Sequence, residues 1–329
     1  MPVVSIVTPV HNGERYLDEC IQSVLVQTYT HWEYLIVDNC SSDATLDIAR
    51  RYAAQDTRIH VHGYDAFVDV IGSHNRALRL ISPNSKYCKV LSADDCLLPD
   101  CIALMVDFAE THPTVGIVGA YAIRGGGTHW RIVFDGLSYR ATVVAGREAC
   151  RWHLLGGRHF LGVPTSVLYR AELVRQSKHF YPNSREHADI SAFYVYLLNT
   201  DLGFIHQVLT YERVHEDALS AEAKRDSTYA ASHLLDVGEY GPLYLTAEEL
   251  TKRLGELQRQ YYRLLALGIV NFKGKRFWRY HWAVLRACGA RASHIHLAAA
   301  VFMKICDLLF NPKLTIEKLV SRFHEDIRP

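Results

Sequence analysis

Alternation of strand-like and helix-like patterns in the first third of the chain is the feature that most limits its fold. Buried-strand runs at 3–9, 34–38, 59–61, 87–91 and 115–121 are separated by amphipathic or capped helical stretches at 14–27, 41–52, 72–81 and 99–110. Because parallel strands need crossover connections of helix length, this alternation predicts a mostly parallel sheet flanked by helices. Ligands of such sheets bind at the carboxyl ends of the strands.

Polar residues follow three of these predicted strands. The run from Pro9 to Glu14 follows the first strand, Asp38 ends the second, and Asp94 and Asp95 follow the fourth. We expect these loops to meet in one crevice, because the carboxyl ends of parallel strands share one edge of the sheet. Two carboxylates about 4 Å apart repel by roughly 4 kcal/mol at an effective dielectric near 20. The adjacent aspartates therefore need exposure, hydrogen-bond donors or a cation.

The parallel pattern ends after Tyr121, and the composition changes again near residue 221. Residues 122–220 are expected to add an edge of sheet and a second wall to the crevice. Residues 221–329 are expected to be helical, with a capping box from Thr246 to Glu249. An apolar stripe follows within 246–268, and it either packs on the body of the protein or pairs with another copy.

Composition excludes several classes of protein. The formal net charge of +1 over 329 residues gives no support for nucleic-acid binding. The eight cysteines form no C-x-x-C pair and are expected to be reduced thiols. The sequence starts on a strand pattern without a leader, and no apolar run reaches the roughly 20 residues that span a bilayer. We therefore expect a cytoplasmic location.

Basic and aromatic side chains alternate in the segment 272–282. Segments of this composition lie on membrane surfaces, where cations contact anionic headgroups and aromatic rings enter the interface. The same pattern is typical of a helix whose aromatic rings pack inward while its basic side chains stay in water. The segment 272–282 therefore either contacts the inner face of the cytoplasmic membrane peripherally or packs its aromatic rings inward.

Several motifs together resemble the inverting, nucleotide-sugar-dependent glycosyltransferases of family 2, over roughly residues 3–220. The motifs are the runs 4–14, 33–43, 91–95 with Pro99, 162–166, 187–189 and 213–215. The resemblance implies an α/β fold of the GT-A (Rossmann-like) type, a mostly parallel sheet flanked by helices, with 221–329 as a helical C-terminal extension. Within the 1–220 domain it implies a nucleotide-binding half, 1–121, and an acceptor half, 122–220.

The resemblance implies a donor site for a nucleotide diphosphate sugar. By this likeness Asp95 holds a divalent cation, Mn²⁺ or Mg²⁺, while Asp94 contacts the ribose or assists the cation. Asp38 would read the uracil edge or the ribose, although a strand-end aspartate also caps a following helix. A UDP-sugar is expected, with dTDP- and GDP-sugars as alternatives. The loop expected to cradle the nucleoside contains Pro9, His11, Asn12 and Glu14.

The likeness also assigns residues of the acceptor half. Asp189 matches the family's base, which takes the proton of the attacking hydroxyl, and Glu186 is the reserve candidate. A favourable charge at a helix N-terminus is the alternative explanation for Asp189. Arg213 either pairs with a phosphate or is an ordinary surface arginine. His215 either approaches the metal or a phosphate or has only a structural role.

Two departures from the family pattern leave a second function open. Ser92 stands where the family's Asp-x-Asp has its first aspartate, and the common Glu-Asp dipeptide is missing before Ile190. The expected activity is transfer of a single sugar to a glycan or lipid-linked acceptor of a bacterial surface polysaccharide. The alternative is a non-catalytic sugar-nucleotide-binding or scaffold subunit of the same fold. A phosphatase with an aspartyl nucleophile would need an Asp-x-Asp after the first strand, which ends instead in Thr8-Pro9-Val10-His11.

Overall fold

A computed structural model describes residues 1–126, 129–134, 136–157, 160–185, 187–215, 226–288 and 293–310. The chain divides into two compact units, residues 1–221 and 222–329. We refer to them as the N-terminal unit and the C-terminal unit.

The first half of the N-terminal unit is a parallel sheet with helical crossovers. Its strands are β1 (Val3–Val10), β2 (Trp32–Asn39), β3 (Ile59–Tyr64) and β4 (Ser85–Val90), and β1 lies between β2 and β4. The helices are α1 (Leu17–Leu25), α2 (Thr45–Ala53), α3 (Val70–Leu78) and α4 (Cys101–Thr111). The alternation predicted from the sequence is confirmed. Helix α1 begins later than residue 14, because Tyr16 donates its N–H to the Gly13 carbonyl in a turn.

The second half of this unit adds both parallel and antiparallel strands to the sheet. The strands are β5 (Cys96–Leu97), β6 (Val115–Gly126), β7 (His129–Val133), β8 (Val143–Ala145), β9 (Val167–Arg170) and β10 (Asp201–Arg213). Strand β9 lies antiparallel between β4 and β6, and β10 pairs in parallel with β6. The strand order over the described residues is β3-β2-β1-β4-β9-β6-β10-β5, with β7 on β6 and β8 on β10.

Three helices and a short 3₁₀ turn complete the N-terminal unit. They are α5 (Gly146–Leu154), the 3₁₀ turn Pro164–Ser166, α6 (Ala171–Arg175) and α7 (Ala188–Tyr196). The 3₁₀ turn contacts β4, β6 and β10. It places the Thr165 side chain within hydrogen-bonding distance of Ser92 and Asp95, which follow the carboxyl end of β4.

The core of the N-terminal unit explains why its first strands are apolar on both faces. Val7, which points to the opposite face of β1 from Val4 and Ile6, is fully buried. Val4 and Ile6 are also fully buried, as are Leu17 of α1 and Ile102 of α4. These last four side chains belong to one hydrophobic cluster, in which helices pack on the sheet. A strand covered on both faces needs apolar side chains at successive positions, as the sequence of β1 has.

Four helices form the described part of the C-terminal unit: α8 (Thr228–Tyr244), α9 (Ala247–Val270), α10 (Lys275–Ala287) and α11 (His294–Phe310). The predicted capping box is present, since Thr246 Oγ1 accepts the Glu249 N–H at 3.2 Å and Glu249 Oε2 accepts the Thr246 N–H at 3.0 Å. Leu257 and Tyr261 of the apolar stripe are buried within the unit. None of the described helices combines the length and the apolar character that crossing a bilayer requires.

Candidate active site

Asp95 is a buried carboxylate held by two protein donors. It follows β4 and is 6% exposed. Its Oδ1 accepts the backbone N–H of Arg213 at 2.9 Å, and its Oδ2 accepts the hydroxyl of Thr165 at 2.6 Å. Burial, reinforced by the neighbouring Asp94, raises the pKa of Asp95 to about 8. The repulsion expected between adjacent carboxylates is therefore present in the fold.

Asp94 lies on the more accessible side of the pair. Its Oδ2 is 3.0 Å from His215 Nε2, and its backbone carbonyl accepts the guanidinium of Arg213 at 3.0 Å. His215 Nδ1 is buried and has no hydrogen-bond partner among the described residues. The structure thus brings together four predicted site residues: Asp94, Asp95, Arg213 and His215.

The side chains of Asp94, Asp95 and His215 are of a kind that can serve as ligands of a hard divalent cation. Carboxylate oxygen and imidazole nitrogen are common ligands of Mn²⁺, and a cation would offset the cost of ionising Asp95, which comes first from burial and then from repulsion by Asp94. Among the described residues, no group of three or more His, Cys, Asp or Glu side chains has metal-binding geometry. Residues of this chain would therefore need oxygen ligands from a bound molecule to complete a cation site.

Arg213 is also tied to the start of α1. Its guanidinium forms an ion pair with Glu19 at 2.5 Å and lies 4.5 Å from the centre of the Tyr16 ring. The Tyr16 ring in turn lies 5.1 Å from that of His215. The side chains that follow the carboxyl end of β10 are therefore fixed against both α1 and the aspartate pair.

The loop after β1 is held against the loop after β2 by hydrogen bonds. Asn12 has a left-handed backbone with φ of 52°, which asparagine tolerates well. Its Oδ1 accepts the N–H of Ser42 at 2.8 Å, and Glu14 Oε2 accepts the N–H of Ala44 at 3.0 Å. A Cβ on Gly13 would lie only 2.6 Å from Val10 Cγ2, so glycine permits this close turn. Asn12 and Glu14 therefore shape the loop.

Asp38 ends β2 and retains one oxygen without a partner. It pairs across the sheet with Val10 and is 3% exposed. Its Oδ2 accepts the N–H of Ser41 at 3.2 Å, whereas Oδ1 is buried without a hydrogen-bond partner among the described residues. His11 Nδ1 lies 3.0 Å from the Asn39 carbonyl, and Pro9 is buried within β1. The bond from Ser41 does not cap α2, which begins at Thr45 and has no side-chain cap hydrogen bond, so helix capping does not explain Asp38.

Asp189 lies in the first turn of α7 and is partly buried. Burial raises its pKa to about 6; the backbone N–H groups of Ile190 and of Asp189 itself offset part of this rise, and the negative charge of Glu212 adds to it. Glu212 also interacts electrostatically with Asp94. Asp189 and the aspartate pair therefore share one charged neighbour. The reserve candidate, Glu186, lies outside the described residues.

Sequence reasoning missed the charged residues beneath this site. Lys89 is fully buried in β4, and its ammonium group donates to the carbonyls of Thr165 and Val167. Glu212 of β10 is paired with Arg124 of β6. A lysine in the otherwise apolar run of β4 was a visible signal for the first of these. No local pattern identifies the pair between β6 and β10.

A family model matches part of the N-terminal unit, and the chain has relatives among curated proteins. The model described as glycosyl transferase family 2 matches residues 5–176. The putative teichuronic acid biosynthesis glycosyltransferase TuaG of Bacillus subtilis (strain 168) is 36% identical over 107 residues, which are 32% of this chain and 42% of that protein. The match therefore spans less than half the length of this relative.

Solved structures match over most of the chain. S. aureus TarS 1–349 in complex with UDP-GlcNAc has a TM-score of 0.62 at 17% identity and covers 95% of this chain and 88% of that one. The mannosyltransferase PcManGT from Pyrobaculum calidifontis, in complex with GDP-Man and Mn²⁺, has a TM-score of 0.54 at 17% identity, covering 87% and 85%.

The likeness to these structures confirms the fold class expected from the sequence, an α/β sheet of the GT-A type with C-terminal helices. The family model covers more than half of the residues and includes β1, β2 and the Asp94-Asp95 pair. The chain therefore belongs to glycosyl transferase family 2.

Proposed function

We propose that this chain transfers a single sugar, with inversion, from a nucleotide diphosphate sugar to a hydroxyl of a glycan or lipid-linked acceptor. A UDP-sugar is the proposed donor, and bacterial surface polysaccharide synthesis the proposed setting. The observation that carries the proposal is the clustering of Asp94, Asp95, Arg213 and His215. Glu212 interacts electrostatically with both of these aspartates and with Asp189. The names of TuaG and of TarS with UDP-GlcNAc support the proposal.

The nucleoside would lie over the loops that follow β1 and β2. Asp38 Oδ1 is a buried acceptor without a partner among the described residues, and the N–H of a uracil ring or a ribose hydroxyl would supply the missing donor. The fixed turn from His11 to Glu14 would form one side of this pocket. Since buried acceptors rarely stay unpaired, Asp38 is the side chain that we assign to nucleoside recognition.

The diphosphate would lie against Asp94, His215 and Arg213. A bound Mn²⁺ or Mg²⁺ would neutralise charge on the departing nucleoside diphosphate. Thr165 and the backbone of Arg213 hold Asp95 in place, while Arg213 would contact the phosphates after exchange from Glu19. These contacts would stabilise the charge that develops as the leaving group departs.

Asp189 is the proposed base. Its carboxylate would take the proton of the acceptor hydroxyl while that oxygen forms a bond to the anomeric carbon and the bond to the nucleoside diphosphate breaks. The bond-forming oxygen and the leaving group lie on opposite sides of the carbon, so the configuration inverts. A base with a pKa of about 6 is largely ionised at neutral pH, and it holds the proton better than an ordinary aspartate does.

A cavity of about 840 Å³ supports the assignment of an acceptor to the second half of the N-terminal unit. It is bordered by β8 and α5, and its lining includes Trp152, Phe160 and Glu148. Trp152 lies in edge-to-face contact with Phe160 and is 37% exposed. Aromatic faces with a few polar groups suit the apolar faces and hydroxyls of sugar rings.

A non-catalytic, sugar-nucleotide-binding role is the second candidate. The observation that favours it is the engagement of both Asp95 oxygens by protein donors, with Ser92 at the place of the family's first aspartate. In that case the site would bind a nucleotide without cation-dependent turnover. The two candidates differ in whether nucleotide binding requires a divalent cation and whether sugar is released.

Calorimetric titration of UDP into the full chain, with Mn²⁺ and with chelator, tests the proposal. We expect binding that depends on Mn²⁺ and is lost in the variant Asp95→Ala. The variant Asp107→Ala, at an exposed position of α4, is the matched control and should bind as the unaltered chain does. Binding of dTDP or GDP in preference to UDP would show that the donor is a dTDP- or GDP-sugar instead of a UDP-sugar. Absence of binding by all three nucleotides, with and without Mn²⁺, would contradict the proposal.

A further inference from the structure

Helix α11 of the C-terminal unit exposes an apolar face of large side chains. The relative exposures of Ile295, Phe302, Met303 and Phe310 are 82%, 66%, 67% and 81%. At about 100° per residue these side chains, together with Ala299 and Leu309, fall on one half of the helix. Soluble proteins seldom expose several large apolar side chains side by side without a binding role.

The opposite half of α11 packs within its own unit. Leu297 is buried, the ring of His296 lies 5.5 Å from that of Tyr262, and the helix contacts α9. The charged side chains Lys304 and Asp307 form an ion pair at 2.7 Å and also fall outside the apolar face. The face is therefore a continuous apolar strip, about 25 Å long for 17 residues, without a charged side chain.

The charge of the surrounding sequence indicates what covers this strip. Residues 257–306 contain nine lysines and arginines and no aspartate or glutamate. Two of the nine pair with acidic residues outside this range, Lys304 with Asp307 and Arg276 with Asp226, so the positive charge remains in excess. A second copy of the chain would bring a similar excess of positive charge to the contact, which is unfavourable. An anionic lipid surface offers both an apolar interior and negative headgroups. The nine residues are Arg259, Arg263, Lys273, Lys275, Arg276, Arg279, Arg286, Arg291 and Lys304.

Helix α10 provides charge but little exposed apolar surface. Phe277 and His281 are buried, whereas Lys275, Arg276 and Arg279 are exposed. Inward packing, one of the two readings of the segment 272–282, thus holds for these two rings. The segment 272–282 by itself would offer mainly charge and the exposed Phe272 to a membrane. Insertion into the interface therefore needs another element, and α11 has the required face.

We propose that the C-terminal unit docks on an anionic lipid surface, with the apolar face of α11 entering the interface and basic side chains of α10 contacting headgroups. The helix would lie along the membrane plane, as amphipathic interfacial helices do. This inference does not depend on the proposed transfer, because binding to vesicles needs neither donor nor acceptor. Its failure and that of the proposed activity are therefore distinguishable.

Vesicle co-sedimentation of the full chain tests the inference. The vesicles contain phosphatidylcholine alone or phosphatidylglycerol and phosphatidylcholine in equal parts. We expect at least tenfold stronger partitioning into the anionic vesicles. The triple variant Phe302→Ser, Met303→Ser, Phe310→Ser should lose about tenfold or more of this partitioning. The variant Lys275→Gln, Arg279→Gln should weaken the preference for anionic over neutral vesicles.

A matched control removes exposed apolar side chains elsewhere. The triple variant Val26→Ser, Ile132→Ser, Tyr139→Ser changes three exposed side chains of the N-terminal unit and should partition as the unaltered chain does. If the α11 triple variant loses its circular dichroism signal, the single variant Phe302→Ser should still show about a threefold loss. Equal partitioning of the α11 variants and the control would overturn the inference, as would equal binding to both kinds of vesicle.

Sedimentation velocity on the same samples separates lipid from a second copy. The inference predicts that the α11 variants and the unaltered chain have the same sedimentation coefficient. Two results together would overturn the inference: the unaltered chain forms an oligomer that the α11 variants dissociate, and it sediments with vesicles no more than it does in lipid-free controls. The apolar face would then be assigned to self-association.

Discussion

The two units differ in which side chains they bury and expose against the usual pattern of apolar residues inside and charged residues outside. The N-terminal unit buries charged groups at the strand ends, among them Lys89, Asp95 and Glu212, whereas the C-terminal unit exposes Phe302 and Phe310. Burying charge costs free energy unless partners surround it, and exposing large apolar side chains forgoes their burial. Both departures occur at surfaces that we propose to bind another molecule. The first suits a polar substrate and the second an apolar phase.

The largest expected effect comes from the proposed base. The variant Asp189→Asn keeps the shape of the side chain but removes its ability to accept a proton. Transfer should fall about 10²- to 10⁴-fold, while the affinity for UDP stays unchanged. Product formation by chromatography and nucleotide binding by calorimetry measure the two quantities separately. Normal turnover of this variant would move the base role to Glu186 or to another group.

The pH dependence of transfer should report the same carboxylate. Burial raises the pKa of Asp189 to about 6, so the group becomes protonated below that pH and cannot accept the acceptor's proton. The rate at saturating donor should therefore fall about tenfold per pH unit below pH 6 and level off above it. UDP affinity measured over the same pH range is the control. If the transfer rate and the UDP affinity fell together as the pH was lowered, the titrating group would belong to the donor site and not be Asp189.

The buried charges should also support the stability of the N-terminal unit. In the variant Lys89→Met the carbonyls of Thr165 and Val167 lose a buried donor, and we expect the free energy of unfolding to drop by about 1–3 kcal/mol. Chemical denaturation measures this difference. Lys86→Met is the matched control; its ion pair with Glu110 is exposed and should contribute less than about 1 kcal/mol. Equal effects of the two variants would show that Lys89 is not a significant part of the site's support.

The smallest effect is expected at the exposed apolar face. Phe302→Ser removes a side chain that is 66% exposed, so the free energy of unfolding should change by less than about 0.5 kcal/mol. Comparison with Lys89→Met inverts the usual expectation, since the polar residue would matter for stability and the aromatic one would not. A loss above about 2 kcal/mol would show that Phe302 packs within the protein, and the contrast between the units would fail.

Much of this arrangement could be predicted because it depends on local sequence patterns. Alternating strands and helices placed Asp38 and the Asp94-Asp95 pair at strand ends, and the capping box from Thr246 to Glu249 is a short-range motif. The support of Asp95 could not be predicted in this way. Its donors, Thr165 and the backbone of Arg213, are 70 and 118 residues away in sequence. Such contacts arise because the 3₁₀ turn packs against β4 and because β10 pairs with β5, the strand that directly follows Asp95.

The sequence pattern was also ambiguous for the C-terminal unit. The apolar stripe through Leu257 and Tyr261 and the residues of α11 have similar helical spacing, yet the first is buried and much of the second is exposed. Spacing identifies an apolar face of a helix but not what covers it. The covering surface depends on the tertiary arrangement of α9, α10 and α11.

The most direct test of the proposed reaction is time-resolved proton NMR of an α-linked UDP-sugar incubated with the full chain and Mn²⁺, without acceptor. Water then serves as the acceptor, and the anomeric protons show which sugar configuration forms first. We expect release of UDP with the β-anomer as the first product, before mutarotation mixes the two forms. First release of the α-anomer, or no release from UDP-, dTDP- or GDP-sugars, would contradict inverting transfer.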